Sequence, residues 1–147
     1  LSRGLGDVYK RQVANIDEYN RNAKKKLYRI VFACDEIAEV LDKTGLSKQQ
    51  KDEILKIESE LSIIARQGRA FGIHLILATQ RPDADILKGQ IKNNIDFRIC
   101  GRADKVLSQI ILDNPDGAEK IPKDKQGVFL TNTGVLFKAY YFDDSEW

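Results

Sequence analysis

Three observations predict an α/β fold with a mainly parallel sheet, helices on both faces and a C-terminal β-hairpin. Apolar runs of strand character at residues 27–34, 73–78 and 97–100 alternate with stretches of helical periodicity. The first two runs end abruptly in polar pairs, Asp35-Glu36 and Thr79-Gln80. Residues 127–130 and 135–142, joined by Thr131-Asn132-Thr133-Gly134, read as two strands of a hairpin.

The elements follow in order. Asn15, with Glu18 three residues on, is set to cap a short helix that turns Ile16 and Tyr19 inward. Lys24, Lys25 and Lys26 form a solvated lead-in to the first strand. Residues 27–34 read as a strand buried on both faces, because β-branched and aromatic residues follow one another without polar alternation. Ile37, Val40 and Leu41 share one side of a short helix that Thr44-Gly45 breaks. Ser47 and Gln50 then form a capping box for a long helix, whose apolar stripe is Ile54, Ile57, Leu61 and Ile64. Gly68 and Gly72 bracket its end. Residues 73–78 read as a second buried strand, Pro82 forces the chain out of it, and Asp83 is placed to cap another helix. Residues 97–100 give a third short strand. Residues 103–112 are helical, with Val106, Leu107, Ile110 and Ile111 inward, and Asn114-Pro115-Asp116-Gly117 is a turn.

Composition narrows the function classes. The 147 residues are 42% hydrophobic and 31% charged, which suits a globular domain able to bury a core. No apolar run approaches the roughly 18–20 residues that cross a membrane. Cys34 and Cys100 each lie inside a strand-like run and read as structural thiols of a reducing compartment; no Cys/His spacing resembles a zinc site. Residues 1–12 lack either periodicity and read as a non-native tail, leaving residues 13–147 as the domain. That tail carries three cations against Asp7. It accounts for the whole +2 charge of the chain, so residues 13–147 are neutral and give no general nucleic-acid signal.

In a parallel sheet the two polar pairs fall on the same carboxyl edge, where such sheets bind ligands. An apolar strand ending in two carboxylates is the Walker B pattern of P-loop nucleotide hydrolases, although an ordinary strand end can look the same. On the nucleotide reading Asp35 holds Mg²⁺, Glu36 polarises the attacking water, and Thr79 and Gln80 approach the nucleotide from the neighbouring strand. That is the arrangement of a RecA-like P-loop NTPase core.

The run Ile-Ala-Arg-Gln-Gly-Arg-Ala-Phe-Gly-Ile-His-Leu-Ile-Leu-Ala-Thr-Gln-Arg-Pro, residues 64–82, closely resembles the FtsK/SpoIIIE family of DNA-pumping ATPases. So do residues 89–100, the element Ile-Leu-Asp-Asn-Pro-Asp-Gly-Ala-Glu-Lys at 111–120, and Asn15-Ile16 with Tyr19-Asn20. Within that family the wording at 66–71 and 101–114 looks most like the coupling proteins of conjugative elements. The resemblance implies an ATP- and Mg²⁺-dependent ring translocase that moves double-stranded DNA in conjugative transfer or chromosome segregation. It also implies a homo-hexamer anchored at the cytoplasmic face of the bacterial membrane through a further N-terminal region. By the same resemblance Asp35 and Glu36 are the Walker B pair, Gln80 is the sensor glutamine, and Arg69 is an arginine that reaches into a neighbour's nucleotide site. Arg81 and Arg98 are weaker candidates for that role or for DNA phosphates, and His74 is a strand residue satisfied by hydrogen bonds. The resemblance departs at one point: no glycine-rich loop ending in Lys-Ser/Thr precedes the Asp-Glu strand. Residues 13–147 are therefore expected to be a partial ATPase domain lacking the Walker A half, inactive alone. Two other readings remain: a type VII secretion-like ATPase that moves proteins, and a non-catalytic assembly module.

Overall fold

A computed structural model describes residues 13–82 and 89–141, with the side chains of residues 89 and 90 left aside. The tail at residues 1–12 and the cap expected at Asp83 lie outside the described residues. The chain divides after Gln80 into two compact units.

The first unit is a βαβ arrangement preceded by a short helix. α1 spans Ile16–Asn22; the Asn15 side chain accepts from the Glu18 N–H at 2.9 Å, and Glu18 accepts in return from the Ala14 N–H at 2.8 Å. β1 spans Ile30–Cys34, α2 Ile37–Leu41, α3 Lys48–Gln67 and β2 Ile73–Leu77, with a 3₁₀ turn at Gly68–Phe71 between α3 and β2. β1 and β2 pair in parallel, from Ile30 opposite Ile73 to Cys34 opposite Leu77. β1 starts three residues later than the apolar run. The Asn20 side-chain amide donates to the Leu27 carbonyl and accepts from the Leu27 N–H, so that backbone is already occupied. The Ser47–Gln50 capping box forms as expected and starts α3.

Burial departs from the sequence reading in three elements of this unit. The core of this unit is Ile16, Tyr19, Ile37, Ala38, Leu41 and Leu61, the contacts between helices and strand ends. β1 is not buried on both faces: Ile30 to Ala33 are exposed, Val31 by 60%. Only β2 pairs with β1 among the described residues, so nothing there covers its other edge. Likewise β2 is half-buried, with Ile76 exposed. On α3 the buried positions are Leu61 and Glu58, while Ile57 is exposed. Glu58 replaces an apolar residue in that stripe because its carboxylate accepts from Lys43, a buried charge being tolerable only when paired.

The second unit contains α4 (Gly89–Lys92), β3 (Ile99–Cys100), α5 (Lys105–Leu112), a 3₁₀ turn at Ala118–Lys120, β4 (Val128–Thr131) and β5 (Leu136–Lys138). The hairpin β4–β5 is antiparallel as expected, and Gly134 at φ 86° supplies the left-handed turn residue. β3 pairs antiparallel with β4. Asn132 fixes that pairing: its side chain accepts from the Arg98 N–H and donates to the Asp96 carbonyl, and its N–H donates to the Arg98 carbonyl. On α5 the buried pair is Ser108 and Leu112, one turn apart, and Val106 faces solvent. Ser108 is buried because its hydroxyl donates to the Asn114 carbonyl and accepts from the Ala118 N–H. Both cysteines are free; partial burial pushes the Cys100 thiol up, which suits a structural role.

Candidate functional site

The carboxyl edge of the parallel pair is fastened by backbone. Past the last paired residues, the Ala78 N–H donates to the Cys34 carbonyl at 2.8 Å and the Ile37 N–H to the Ala78 carbonyl at 2.9 Å. This brings Asp35-Glu36 and Thr79-Gln80 side by side, as the strand reading requires. Glu36 is the N-cap of α2: one carboxylate oxygen accepts from the Ala38 N–H at 3.3 Å and the other from the Gln80 N–H at 2.9 Å. Asp35 is exposed, and its carboxylate makes no hydrogen bond or ion pair among the described residues.

One free carboxylate with a second beside it suits Mg²⁺, which keeps most of its waters and takes one or two carboxylates plus phosphate oxygens. No group of three His, Cys, Asp or Glu side chains able to hold a metal occurs among the described residues.

Arg69 is not on this edge. It sits in the 3₁₀ turn that enters β2, while Gln80 lies just beyond the strand's exit. Five strand residues separate the two ends, about 16 Å at the usual rise. Arg69 lines an open cleft of about 890 Å³ together with Asp17, Arg29, Arg66, Phe71 and His74. Arg29 donates to both Asp17 oxygens, at 2.7 and 3.0 Å; Arg66 and Arg69 are exposed and make no ion pair among the described residues. The His74 side chain is exposed on this cleft and has no hydrogen-bond partner among the described residues, contrary to the satisfied strand residue expected. Arg66 and Arg29 were not singled out from the sequence; the Arg66–Arg69 spacing of three was the available signal.

Arg98 is a structural residue. Its guanidinium donates to the carbonyls of Ile111, Lys92 and Ile95 and to the Asp113 carboxylate at 2.6 Å, leaving little of its donor fork for an external phosphate. Lys92 donates to the other Asp113 oxygen, also at 2.6 Å. That hydrogen bond, opposed by desolvation and helped by the charges of Lys92 and Arg98, holds the Asp113 carboxyl below its usual value.

Two parallel strands whose exits carry Asp-Glu and Thr-Gln, tied edge to edge, define part of a RecA-like P-loop ATPase core. The fold matches the pCW3 conjugation coupling protein TcpA, solved in its monomer form with ATPγS. The TM-score is 0.88 and the identity 41%, over 99% of this chain and 42% of that one. The sequence is 40% identical to the DNA translocase FtsK of Chlorobaculum tepidum over 111 residues, 74% of this chain and 13% of the relative. It is 45% identical to FtsK of Haemophilus influenzae over 100 residues, 67% of this chain and 17% of the relative. The chain belongs to the FtsK family. It spans about a seventh of the length of these FtsK relatives. The cytoplasmic domain of the Thermomonospora curvata type VII secretion ATPase EccC shares the fold, with a TM-score of 0.70 at 24% identity over 95% of this chain and 16% of that one. No family model matches the chain.

Proposed function

We propose that this chain is the C-terminal part of the motor domain of an ATP-driven ring translocase that moves double-stranded DNA in conjugative transfer or chromosome segregation. The observation that carries the reading is the separation of two functional groups on one small sheet. Asp35, Glu36, Thr79 and Gln80 gather on the carboxyl edge, and Arg69 lies on the amino edge, where it cannot serve the site of its own chain. A heterologous, head-to-tail contact brings one copy's amino edge to the next copy's carboxyl edge, and such contacts close into a ring when the rotation between copies closes. We take the ring to be a homo-hexamer.

In that ring Glu36 orients and polarises the attacking water, Gln80 reads the terminal phosphate, and Arg69 of the adjacent copy faces the charge that develops there. Asp35 would hold Mg²⁺, which would supply neutralisation of phosphate charge. The phosphate-binding loop is supplied by polypeptide outside residues 13–147, and the exposed apolar face of β1 and β2 is consistent with packing against it. Without that half, residues 13–147 alone do not hydrolyse ATP. Among the described residues no helix is long and apolar enough to cross a membrane. We place the motor at the cytoplasmic face of the membrane, anchored by a region outside this chain. The relatives named as DNA translocases favour DNA as cargo; the likeness to EccC carries the fold alone.

The experiment is the Glu36→Gln exchange in the full-length polypeptide. DNA-stimulated ATP hydrolysis falls to background while ATP still binds. Hydrolysis that persists overturns the assignment.

A further inference from the structure

Glu58 is the one buried charged residue among the described residues, and the proposed reaction does not use it. It stands in the middle of α3, and its carboxylate accepts from the Lys43 ammonium, two residues past the end of α2. Stability is a weak reason for such a pair. Two charges must be stripped of water before they meet, so apolar side chains of similar volume are often as stable in the same place or more so. What the ion pair adds is direction. The apolar contacts of Ile37, Leu41 and Leu61 are non-directional, whereas an ammonium and a carboxylate meet in one register.

Register matters here because α2 is too short to hold itself. Its five residues fall far below the length at which a helix persists alone, so its position is set by what grips it. At the N-terminal end the grip is Glu36, which accepts from the Ala38 and Gln80 N–H groups, together with the Ile37 N–H on the Ala78 carbonyl. At the other end the Asp42 carboxylate accepts from the Thr44 N–H at 2.8 Å, and Lys43 reaches from that turn to Glu58. α3 continues through the 3₁₀ turn into β2, beyond whose exit lies Gln80. The ion pair therefore ties the far end of α2 to the helix that leads into the strand its near end already grips.

We propose that Lys43 and Glu58 are positioning residues for Glu36: their ion pair holds α2 in the register that aims the Glu36 carboxylate at the attacking water, an inference that rests on the reading of Glu36 as the group that polarises that water. Neither side chain touches the reacting atoms. Both act through α2, and a displacement of about 1 Å at a reacting group costs on the order of a hundredfold in rate, so a small rotation of this helix is enough.

The test uses the full-length polypeptide. The double exchange Lys43→Met with Glu58→Leu keeps the volume of the pair and removes its direction. The denaturant midpoint stays at or above that of the parent, while kcat for DNA-stimulated ATP hydrolysis falls about tenfold or more and KM for ATP stays within about twofold. A double variant as stable as the parent whose kcat stays within about twofold overturns the proposal. A fall in kcat that comes with a raised KM and a lowered midpoint marks general loosening and overturns it too. Should the double variant not fold, Glu58→Gln decides in its place: it keeps the shape and one acceptor oxygen but weakens the bond to Lys43, so kcat falls about threefold or more at unchanged KM, and an unchanged kcat overturns the proposal. Glu36→Gln measured beside them separates the two readings. If it is inactive and the pair variants are unimpaired, only the positioning role falls; if it still hydrolyses ATP, the reading of Glu36 falls and takes the proposal with it.

Discussion

The backbone N–H of Gln80 donates to a carboxylate oxygen of Glu36 at 2.9 Å, joining two residues 44 positions apart in the sequence. The same carboxylate caps α2 through the Ala38 N–H. Glu36 is thus both the proposed catalytic group and the clasp that holds the two strand exits together. Any movement of β2 that shifts Gln80 also shifts Glu36.

The clasp separates two exchanges at Glu36 by their effect on stability. Glu36→Gln keeps one acceptor oxygen and so preserves one of the two bonds, whereas Glu36→Ala loses both. Alanine therefore costs about 1–2 kcal/mol of stability, the usual range for an N-cap, and glutamine costs less. Denaturant unfolding of the two variants measures the difference. Equal midpoints would show that the carboxylate does not hold the strand exits together.

The second unit has its own pH dependence. The hydrogen bond from Lys92 is the main cause holding the folded-state carboxyl of Asp113 below its ordinary value, aided by the charges of Lys92 and Arg98. A carboxyl depressed in the folded state stabilises the fold above its unfolded value, near pH 4, and that contribution is lost as pH falls through the lower folded value. The Asp113 side chain is half-exposed, so solvent screening keeps the effect small. Unfolding midpoints between about pH 5 and pH 2 fall less steeply for Asp113→Asn than for the parent chain. An unchanged slope would remove Asp113 from the acid limb. Asp42, also lowered chiefly by its hydrogen bond with Thr44, is the control that retains its share.

The sequence makes strands, caps and strand exits legible because each rests on local chemistry. The Asn15 cap, the Ser47–Gln50 box and the placement of Asp35-Glu36 beside Thr79-Gln80 all follow from residue types at fixed spacing. Partnership is not local. The strand at 99–100 has the composition of a parallel strand, and its antiparallel pairing is decided by Asn132, more than thirty residues away. Burial fails in the same way. Val31 and Val106 are apolar, but whether they are covered depends on which element lies opposite, and among the described residues none covers them fully. Of the site, the carboxyl-edge quartet was readable. The cationic cleft was not, because it is assembled from α1, the entry to β1 and the end of α3.

Gly72 ties that cleft to the core. It has φ +74°, its carbonyl accepts from the Ile30 N–H at 2.8 Å, and a Cβ built on it would come within 2.6 Å of the buried Ile16 side chain. Gly72→Ala therefore combines the cost of a left-handed non-glycine residue with a clash that displaces α1, about 2–4 kcal/mol together. Gly45→Ala isolates the first cost: its φ is +72° and nothing lies within 4 Å of the added methyl, so the expected loss is only about 1 kcal/mol. Denaturant midpoints of the two variants give the packing contribution by difference. Equal losses would mean that Ile16 does not press against this turn, and that the entrance of β2 is positioned by its backbone conformation alone.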